Sequence, residues 1–285
     1  MRKFMKSETE TTPGAISIAP VRYALCVEYA GFAYRGWQTQ KTNNVPSVQE
    51  TVEKALSRVA NEPISVVCAG RTDAGVNGTY QIIHFDSTAR RDERAWVLGT
   101  NTNLPDDIAI QWARRVDTEF HARFSARERR YRYLIRSAAV KPALLARGVT
   151  WTHKKLDIVR MNAAAAYLVG EHDFTSYRAI GCQAKSPVRE VRVLQVYQAA
   201  ELIVIDVQAN AFLHHMVRNI AGVLMKVGAG EAEPEWAQAV LQARDRRKGG
   251  ITAPPYGLYF VDVRYPAHFE LPPSPLGPYF LAGAD

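Results

Sequence analysis

The stretch "ISVVCAGRTDAGVNGTYQIIHFDS", residues 64–87, decides the fold because two strand-like runs flank a glycine-rich turn. Both runs, 64–70 and 81–87, are rich in β-branched and aromatic residues, which predicts two strands. The turn between them carries Asp73. The sequence therefore predicts two strands joined by a loop that presents a carboxylate at their ends.

A strand and a helix precede this unit. Residues 21–31 alternate and contain many β-formers, which predicts a strand. Residues 45–61 predict a helix, because Ser47 and Glu50 form a capping box. Apolar residues recur through this helix at helical spacing: Val48, Val52, Leu56 and Val59.

The second half of the chain repeats this order of elements. The predicted strands are 129–137, 188–198 and 202–210, the predicted helices are 157–171 and 212–228, and a last strand is predicted over 257–263. The sequence thus indicates an α+β protein of two β-α-β-β-type halves. We expect antiparallel sheets backed by helices with a groove between the halves, or one continuous sheet across both.

The expected boundaries follow from this pattern. Residues 1–20 contain no apolar core segment and predict a flexible tail. Residues 21–115 form the predicted N-terminal α+β half with the Asp73 loop, and residues 116–285 form the C-terminal half.

Composition narrows the class of protein. The 285 residues carry a net charge of +8, which suits a polyanionic partner. The three cysteines are far apart in sequence, so they indicate neither a disulfide framework nor a structural zinc site. We expect a reducing compartment, by default the cytoplasm. No apolar run approaches the ~20 residues of a membrane span, so no membrane association is expected.

Asp73 has two interpretations. The side chain of an aspartate in such a turn often accepts a hydrogen bond from the backbone N–H two residues further along the chain. Alternatively, Gly70, Gly75 and Gly78 let a ligand approach the chain, and Arg71 keeps the carboxylate ionised. An ionised carboxylate can then act as a nucleophile at an electrophilic carbon such as the anomeric centre of a sugar.

The predicted helix 212–228 places Arg218 opposite its apolar stripe, on the side of His214 and Gly222. Arg218 therefore faces either a groove or solvent. Successive helical residues point about 100° apart, so the adjacent His214 and His215 would diverge. This divergence disfavours a metal site, and no metal ligands are predicted.

Tyr131 and Tyr133 share one face of the predicted strand 129–137. Aromatic residues beside arginines suit stacking on an unpaired base. Two ordinary core tyrosines are the alternative.

Seven blocks of this sequence closely resemble the tRNA pseudouridine synthase A family and span residues 21 to about 266 in family order. The blocks are "EYAGFAYRGWQTQ" with "SVQETVEKAL", "AGRTDAGVNGTYQIIHF", "NTNLPDDIAI", "FHARFSARERRYRYLI", "GEHDFTSYRAIGCQAKSPVREV", "NAFLHHMVRNIAGVLMKVG" and "TAPPYGLYFVDVRYP". The G-R-T-D-A-G-V segment is highly specific to the family.

The resemblance implies roles for five residues. It implies that Asp73 is the catalytic nucleophile, that Tyr131 stacks on the target base and serves as the general base, and that Arg218 pairs with the aspartate. It further implies that Arg71 and Thr72 bind substrate.

The resemblance also implies the reaction. The family isomerises uridines 38, 39 and 40 of the tRNA anticodon stem-loop to pseudouridine, in the pseudouridine synthase fold. It acts as a homodimer on tRNA, with neither a metal nor an organic cofactor.

The sequence departs from the family at two positions. Asn77 stands where the family usually has a histidine, and Tyr80 stands where it usually has a small residue. These two departures affect the shape of the loop wall and the choice among the three uridines. Two other functions remain open: a non-catalytic tRNA-binding protein, which would not require Asp73, and a nucleoside or glycoside hydrolase, which usually shows two carboxylates or an Asp cluster.

Overall fold

The computed structural model describes residues 19–39 and 45–281, so most of the predicted 1–20 tail lies outside the described residues. The strands are β1 (Val21–Tyr29), β2 (Val67–Cys68), β3 (Asn77–Ser87), β4 (Ile108–Val116), β5 (Glu128–Ser137), β6 (Thr150–Thr152), β7 (Gly170–Asp173), β8 (Val188–Ala199), β9 (Leu202–Ala209) and β10 (Leu258–Arg264). The α-helices are α1 (Val48–Ala60), α2 (Glu93–Thr102), α3 (Ile158–Ala166), α4 (Met216–Gly228) and α5 (Trp236–Ala243).

One mixed sheet contains all of these strands. Its order is β4-β1-β3-β10-β5-β9-β8-β7, with β2 added to β3 and β6 added to β5. The last strand, β10, lies in the middle, parallel to β3 and antiparallel to β5. The α+β class is confirmed, and the strands of the two halves join in one continuous sheet. The division after residue 115 stays a prediction.

Two large apolar cores lie against this sheet. Leu25 of β1 packs in the first core with Val52 and Leu56 of α1 and Trp96 of α2. Its neighbours on β1 belong to the second core, as do buried residues of α3, α4 and α5. Alternate residues of β1 therefore contribute to different cores, as the period-2 geometry of a strand requires.

The Asp73 loop lies where the sequence predicts it. Residues 69–76 connect β2 to β3, so the loop between two strands is confirmed. The predicted N-cap of α1 is also confirmed, because the Ser47 hydroxyl accepts a hydrogen bond of 3.1 Å from the Glu50 N–H.

Several predicted boundaries are wrong. Helix α4 begins at Met216 instead of residue 212, and α3 ends at Ala166 instead of residue 171 because the chain enters β7. The elements α2, α5, β4, β6 and β7 are absent from the prediction. None of the helices within the described residues is both long and apolar enough to cross a membrane.

Candidate active site

The Asp73 carboxylate meets three basic side chains from the other half of the chain. His214 Nε2 lies 3.3 Å from Oδ1, and His215 Nε2 lies 3.3 Å from Oδ2. Arg218 Nη1 donates a hydrogen bond of 3.3 Å to Oδ2. A quarter of the Asp73 side chain is exposed (25%), so the carboxylate is held by protein yet accessible to a ligand. The structure thus brings the predicted pair Asp73 and Arg218 together.

Thr72 supports the loop under Asp73. Its hydroxyl lies 2.8 Å from the Tyr29 hydroxyl, and its carbonyl accepts a hydrogen bond of 3.0 Å from the Trp37 N–H. Gly36 has a φ of +88°, and a Cβ on it would lie 2.5 Å from the Thr72 carbonyl oxygen. The Thr72 side chain is buried and bonded to Tyr29, so it positions the loop in the free protein, and its contact with substrate stays a prediction.

Arg218 is held in place by hydrogen bonds to the backbone of Ala253. Its Nε donates a 2.8 Å hydrogen bond to the Ala253 carbonyl, and its own carbonyl accepts a 3.1 Å bond from the Ala253 N–H. One turn on, a Cβ on Gly222 would lie 1.9 Å from the Ile251 carbonyl oxygen. This face of α4 therefore packs against the 251–253 segment, and the solvent-exposed interpretation of Arg218 is wrong.

The histidine pair corrects the sequence analysis. His214 and His215 precede α4, and His215 has a left-handed backbone with a φ of 62°. The two rings consequently lie side by side, with centroids 4.0 Å apart, and both reach Asp73. Burial lowers the pKa of His215, although the Asp73 charge opposes this shift. The adjacent histidines are visible in the sequence. Because the predicted helix begins at residue 212, it includes both of them, and their side chains are expected to diverge.

Tyr131 lies in a nearly closed aromatic setting. Its ring stacks on Phe260 at a centroid distance of 4.8 Å and meets Phe212 edge-on at 5.0 Å. Burial raises its pKa well above the ordinary value; Arg129 opposes this effect and the Asp73 charge adds to it. Tyr131 is therefore a neutral phenol near neutral pH in the free protein.

Tyr133 belongs to the core, as the alternative interpretation proposed. It is fully buried, and its hydroxyl donates a 2.8 Å hydrogen bond to the Pro254 carbonyl while lying 2.5 Å from the Thr150 hydroxyl. Because Pro254 adjoins Ala253, Tyr133 helps to fix the segment that anchors Arg218.

Arg71, Arg123 and Phe124 form what we call the site rim. Arg71 is exposed. Arg129 donates hydrogen bonds to the Ala69 carbonyl (3.0 Å) and the Arg123 carbonyl (2.8 Å), which joins the rim to the Asp73 loop. Burial raises the pKa of the Cys68 thiol to about 12, and the charges of Arg71 and Arg123 oppose this shift. Both arginines therefore lie near Cys68, at the end of β2.

Phe124 is an apolar side chain presented to solvent. It is 76% exposed, although its ring stacks on His121 at 4.3 Å and has the Arg123 guanidinium 5.6 Å from its centroid. Sequence analysis missed this residue, because exposure of a single phenylalanine leaves no periodic signal.

Two glycines of the Asp73 loop and the strand after it allow close packing. A Cβ on Gly78 would lie 2.7 Å from the Tyr29 ring, and one on Gly75 would lie 3.0 Å from Pro255. Protein atoms already occupy these spaces, so the absent side chains let neighbouring protein segments pack closely, and the approach of a ligand to the loop stays a prediction.

The two departures from the family pattern lie in internal contacts. Asn77 accepts a 2.9 Å hydrogen bond from the Gly31 N–H and donates one of 2.9 Å to the Tyr256 carbonyl. Tyr80 is buried and donates a hydrogen bond to the Pro272 carbonyl. Both residues therefore tie β3 to distant segments.

The chemistry of this arrangement is that of a single carboxylate beside a fixed cation. The positive Arg218 attracts the negative charge of Asp73, and an ionised carboxylate can attack or stabilise an electron-poor carbon. The neutral phenol of Tyr131 can exchange a proton within the same enclosed region.

Comparison with known proteins identifies the family. The family profile described as tRNA pseudouridine synthase matches residues 25–125 and 164–266. The tRNA pseudouridine synthase A of Pseudomonas aeruginosa is 60% identical over 92% of this chain and 92% of its own. The Alcanivorax borkumensis protein of the same name is 57% identical over 91% of this chain and 97% of its own. A protein of that name from Coxiella burnetii is 55% identical over 91% of this chain and 99% of its own.

Solved structures add only a distant likeness. A crystal structure of a Cbf5-Nop10-Gar1 complex aligns with 84% of this chain and 48% of its own, at 11% identity and a TM-score of 0.33, which carries no argument. The family profile and the close relatives cover most of the chain, and the profile includes Asp73, His214, His215 and Arg218. The chain belongs to the tRNA pseudouridine synthase family.

Proposed function

We propose that this enzyme converts uridines 38, 39 and 40 of the tRNA anticodon stem-loop to pseudouridine, with Asp73 as the essential carboxylate. The observation that carries the proposal is the meeting of Asp73 with Arg218 and two histidines from the other half of the chain. A lone carboxylate with a fixed cation suits chemistry at a sugar carbon, whereas hydrolases of glycosides usually use two carboxylates.

The reaction is an isomerisation, so its atoms balance without a cofactor. The C1′–N1 bond breaks, the uracil turns, a C1′–C5 bond forms, C5 loses a proton and N1 gains one. Asp73 either attacks C1′ or removes a ribose proton while stabilising the positive sugar. Both routes need the ionised carboxylate, and the guanidinium of Arg218 lies 3.3 Å from it.

Tyr131 is proposed to hold the free uracil and to manage its proton. The ring extends a stack with Phe260 and so offers an aromatic surface to a planar base. Because the free protein holds Tyr131 as a phenol, its proton must leave before its oxygen accepts the one from C5. A phenol that first protonates the N1 side of the uracil and later takes the C5 proton returns to its starting state.

The target uridine must leave its stack to reach Asp73. Extrusion of a nucleotide costs a few kcal/mol. We propose that the site rim offsets this cost, because Arg71 and Arg123 supply positive charge for phosphates and Phe124 supplies a stacking surface. The net charge of +8 draws the polyanion to the surface.

The deciding experiment is tritium release from tRNA labelled with [5-³H]uridine. We expect release by the wild type and by the exposed-residue control Asp106→Asn, and none by Asp73→Asn, with the new pseudouridines mapped to the anticodon arm. Retained tRNA binding without release by the wild type would favour a binding protein. Free uracil as the product would favour a hydrolase.

We also propose a homodimer located in the cytoplasm, as the family resemblance implies. Light scattering at micromolar protein would then give twice the chain mass of 31.8 kDa. A mass of one chain would contradict the dimer.

A further inference from the structure

We propose that Asp73, His214 and His215 form a binding site for a divalent ion of the zinc class, and that an ion bound there inhibits the enzyme. Each residue offers one ligand atom, and these three atoms lie within 4.8 Å of one another. Among residues 19–39 and 45–281, this is the one cluster of three such side chains. The binding claim concerns the free protein, whereas the inhibition claim rests on the proposed function.

The distances fit a tetrahedral ion. Zinc–nitrogen and zinc–oxygen bonds of about 2.0–2.1 Å place neighbouring ligands of a tetrahedron about 3.3–3.4 Å apart. His214 Nε2 lies 3.3 Å from Oδ1 of Asp73, and His215 Nε2 lies 3.3 Å from Oδ2, so each imidazole is at the ligand–ligand distance from one oxygen of the same carboxylate. Rotation of the side chains would then bring the three ligand atoms, now within 4.8 Å of one another, around one ion.

The ligand types also fit. Two imidazoles and one carboxylate are a known zinc ligand set, with a fourth position left to water. The His214 side chain is 49% exposed, so a water ligand has access from solvent. Hard ions such as Mg²⁺ prefer sites built from oxygen atoms and are expected to bind poorly here.

The surroundings make such an ion inhibitory. Arg218 lies 3.3 Å from Asp73, so its positive charge opposes the ion and limits the affinity. An ion on Asp73 would occupy the carboxylate that the proposed reaction requires. The ion and the ribose of the target uridine would then compete for one group.

Binding is tested with Co²⁺, whose visible absorption reports a four-coordinate site. We expect the metal-free wild type to take up one equivalent and to show this absorption, which excess Zn²⁺ removes. His214→Ala and His215→Ala should each weaken binding by more than about tenfold, since each removes a ligand. The exposed-histidine control His153→Ala should bind like the wild type. No absorption by the wild type, or equal binding by all four proteins, would overturn the site.

A second arm separates binding from inhibition. Micromolar Zn²⁺ should lower tritium release by the wild type, EDTA should restore it, and added Mg²⁺ should have little effect. The residual activity of His214→Ala, measured against its own metal-free rate, should resist Zn²⁺. Equal sensitivity of both proteins, or Co²⁺ binding without loss of activity, would overturn the inhibitory role. If no protein releases tritium, the proposed function fails, while the Co²⁺ titration still decides the site.

Discussion

Asp73 depends on residues that fix its loop and its partner Arg218. Thr72, Tyr29 and Gly36 hold the loop beneath the carboxylate, and Ala253 holds the guanidinium of Arg218. The planar fork of an arginine allows one nitrogen to bind the backbone while another binds the carboxylate. A lysine would supply the charge at a single point.

Arg218→Lys is accordingly expected to lower kcat/KM about a hundredfold, because a charge displaced by about 1 Å costs this much in other active sites. Steady-state kinetics with tRNA would measure the loss, and circular dichroism would confirm the fold. The control Arg58→Lys, on the exposed side of α1, should keep full activity. Wild-type kinetics for Arg218→Lys would contradict the anchoring role.

His84 gives the fold a dependence on pH. Burial lowers its pKa to about 4, with the charges of Arg22 and His121 acting in the same direction. The Ala122 N–H donates a 3.1 Å hydrogen bond to His84 Nδ1, which requires this nitrogen to be unprotonated. Between pH 6.5 and about 4 the unfolded chain binds the proton and the folded chain does not, so stability falls as the pH falls.

Urea unfolding at pH 7.5 and pH 5 would measure this effect. We expect the wild type to lose more stability over this interval than His84→Gln, whatever the stability of the variant at pH 7.5. The control His153→Gln should follow the wild type. An unchanged pH dependence in His84→Gln would contradict the assignment.

At the scale of elements, α4 connects the two sides of the site. Its first turn carries Arg218, and Gly222 allows the 251–253 segment to approach its backbone. Any side chain at position 222 would push this segment away and disturb the bond between Arg218 and Ala253.

Gly222→Ala is therefore expected to destabilise the protein by about 1–3 kcal/mol, the usual cost of overpacking, and to lower activity as well. Gly181→Ala is the matched control, because a Cβ at that glycine meets nothing within 4 Å. Thermal unfolding and tritium release would be measured on both variants. A neutral Gly222→Ala would show that the segment yields without consequence for Arg218.

The limits of sequence analysis lie at the same helix. The apolar residues Phe212 and Leu213 continue the pattern of α4, so periodicity alone extends the helix to residue 212. The left-handed backbone of His215 prevents the helix from extending back to residue 212. No side chain caps the N-terminus of α4, so the sequence gives no signal for its start. Helix α2 escaped prediction for a different reason: it buries only Trp96 and Thr100 and shows no apolar stripe.

The strongly patterned parts were predictable. The Asp73 loop, the N-cap Ser47 and the strands on either side of the loop follow from local residues. The place of β10 in the middle of the sheet does not, because the pairing of Tyr259 with Asn77 is set by the whole fold.

At the scale of the whole molecule, charge and stacking are expected to act separately on tRNA. Phe124→Ala should weaken binding by about 1–3 kcal/mol, the range found for stacking on one base, without changing the salt dependence. Arg71→Ala should reduce the slope of log Kd against log salt concentration by the amount that corresponds to the loss of about one phosphate contact. The exposed control Leu144→Ala should change neither quantity.

Binding titrations at several salt concentrations would measure both effects. A changed salt slope in Phe124→Ala, or an unchanged slope in Arg71→Ala, would contradict this assignment of the site rim.

The central position of β10 has a consequence for synthesis. Strands β3 and β5 can join only when residues 258–264 lie between them, and Ala253 is nearly as late in the chain. A nascent chain leaves the ribosome from its N-terminus, so it carries Asp73 and Tyr131 long before it can bring them together. The enzyme therefore becomes competent only after residues 258–264 have been translated, and a chain interrupted before them would leave tRNA unmodified.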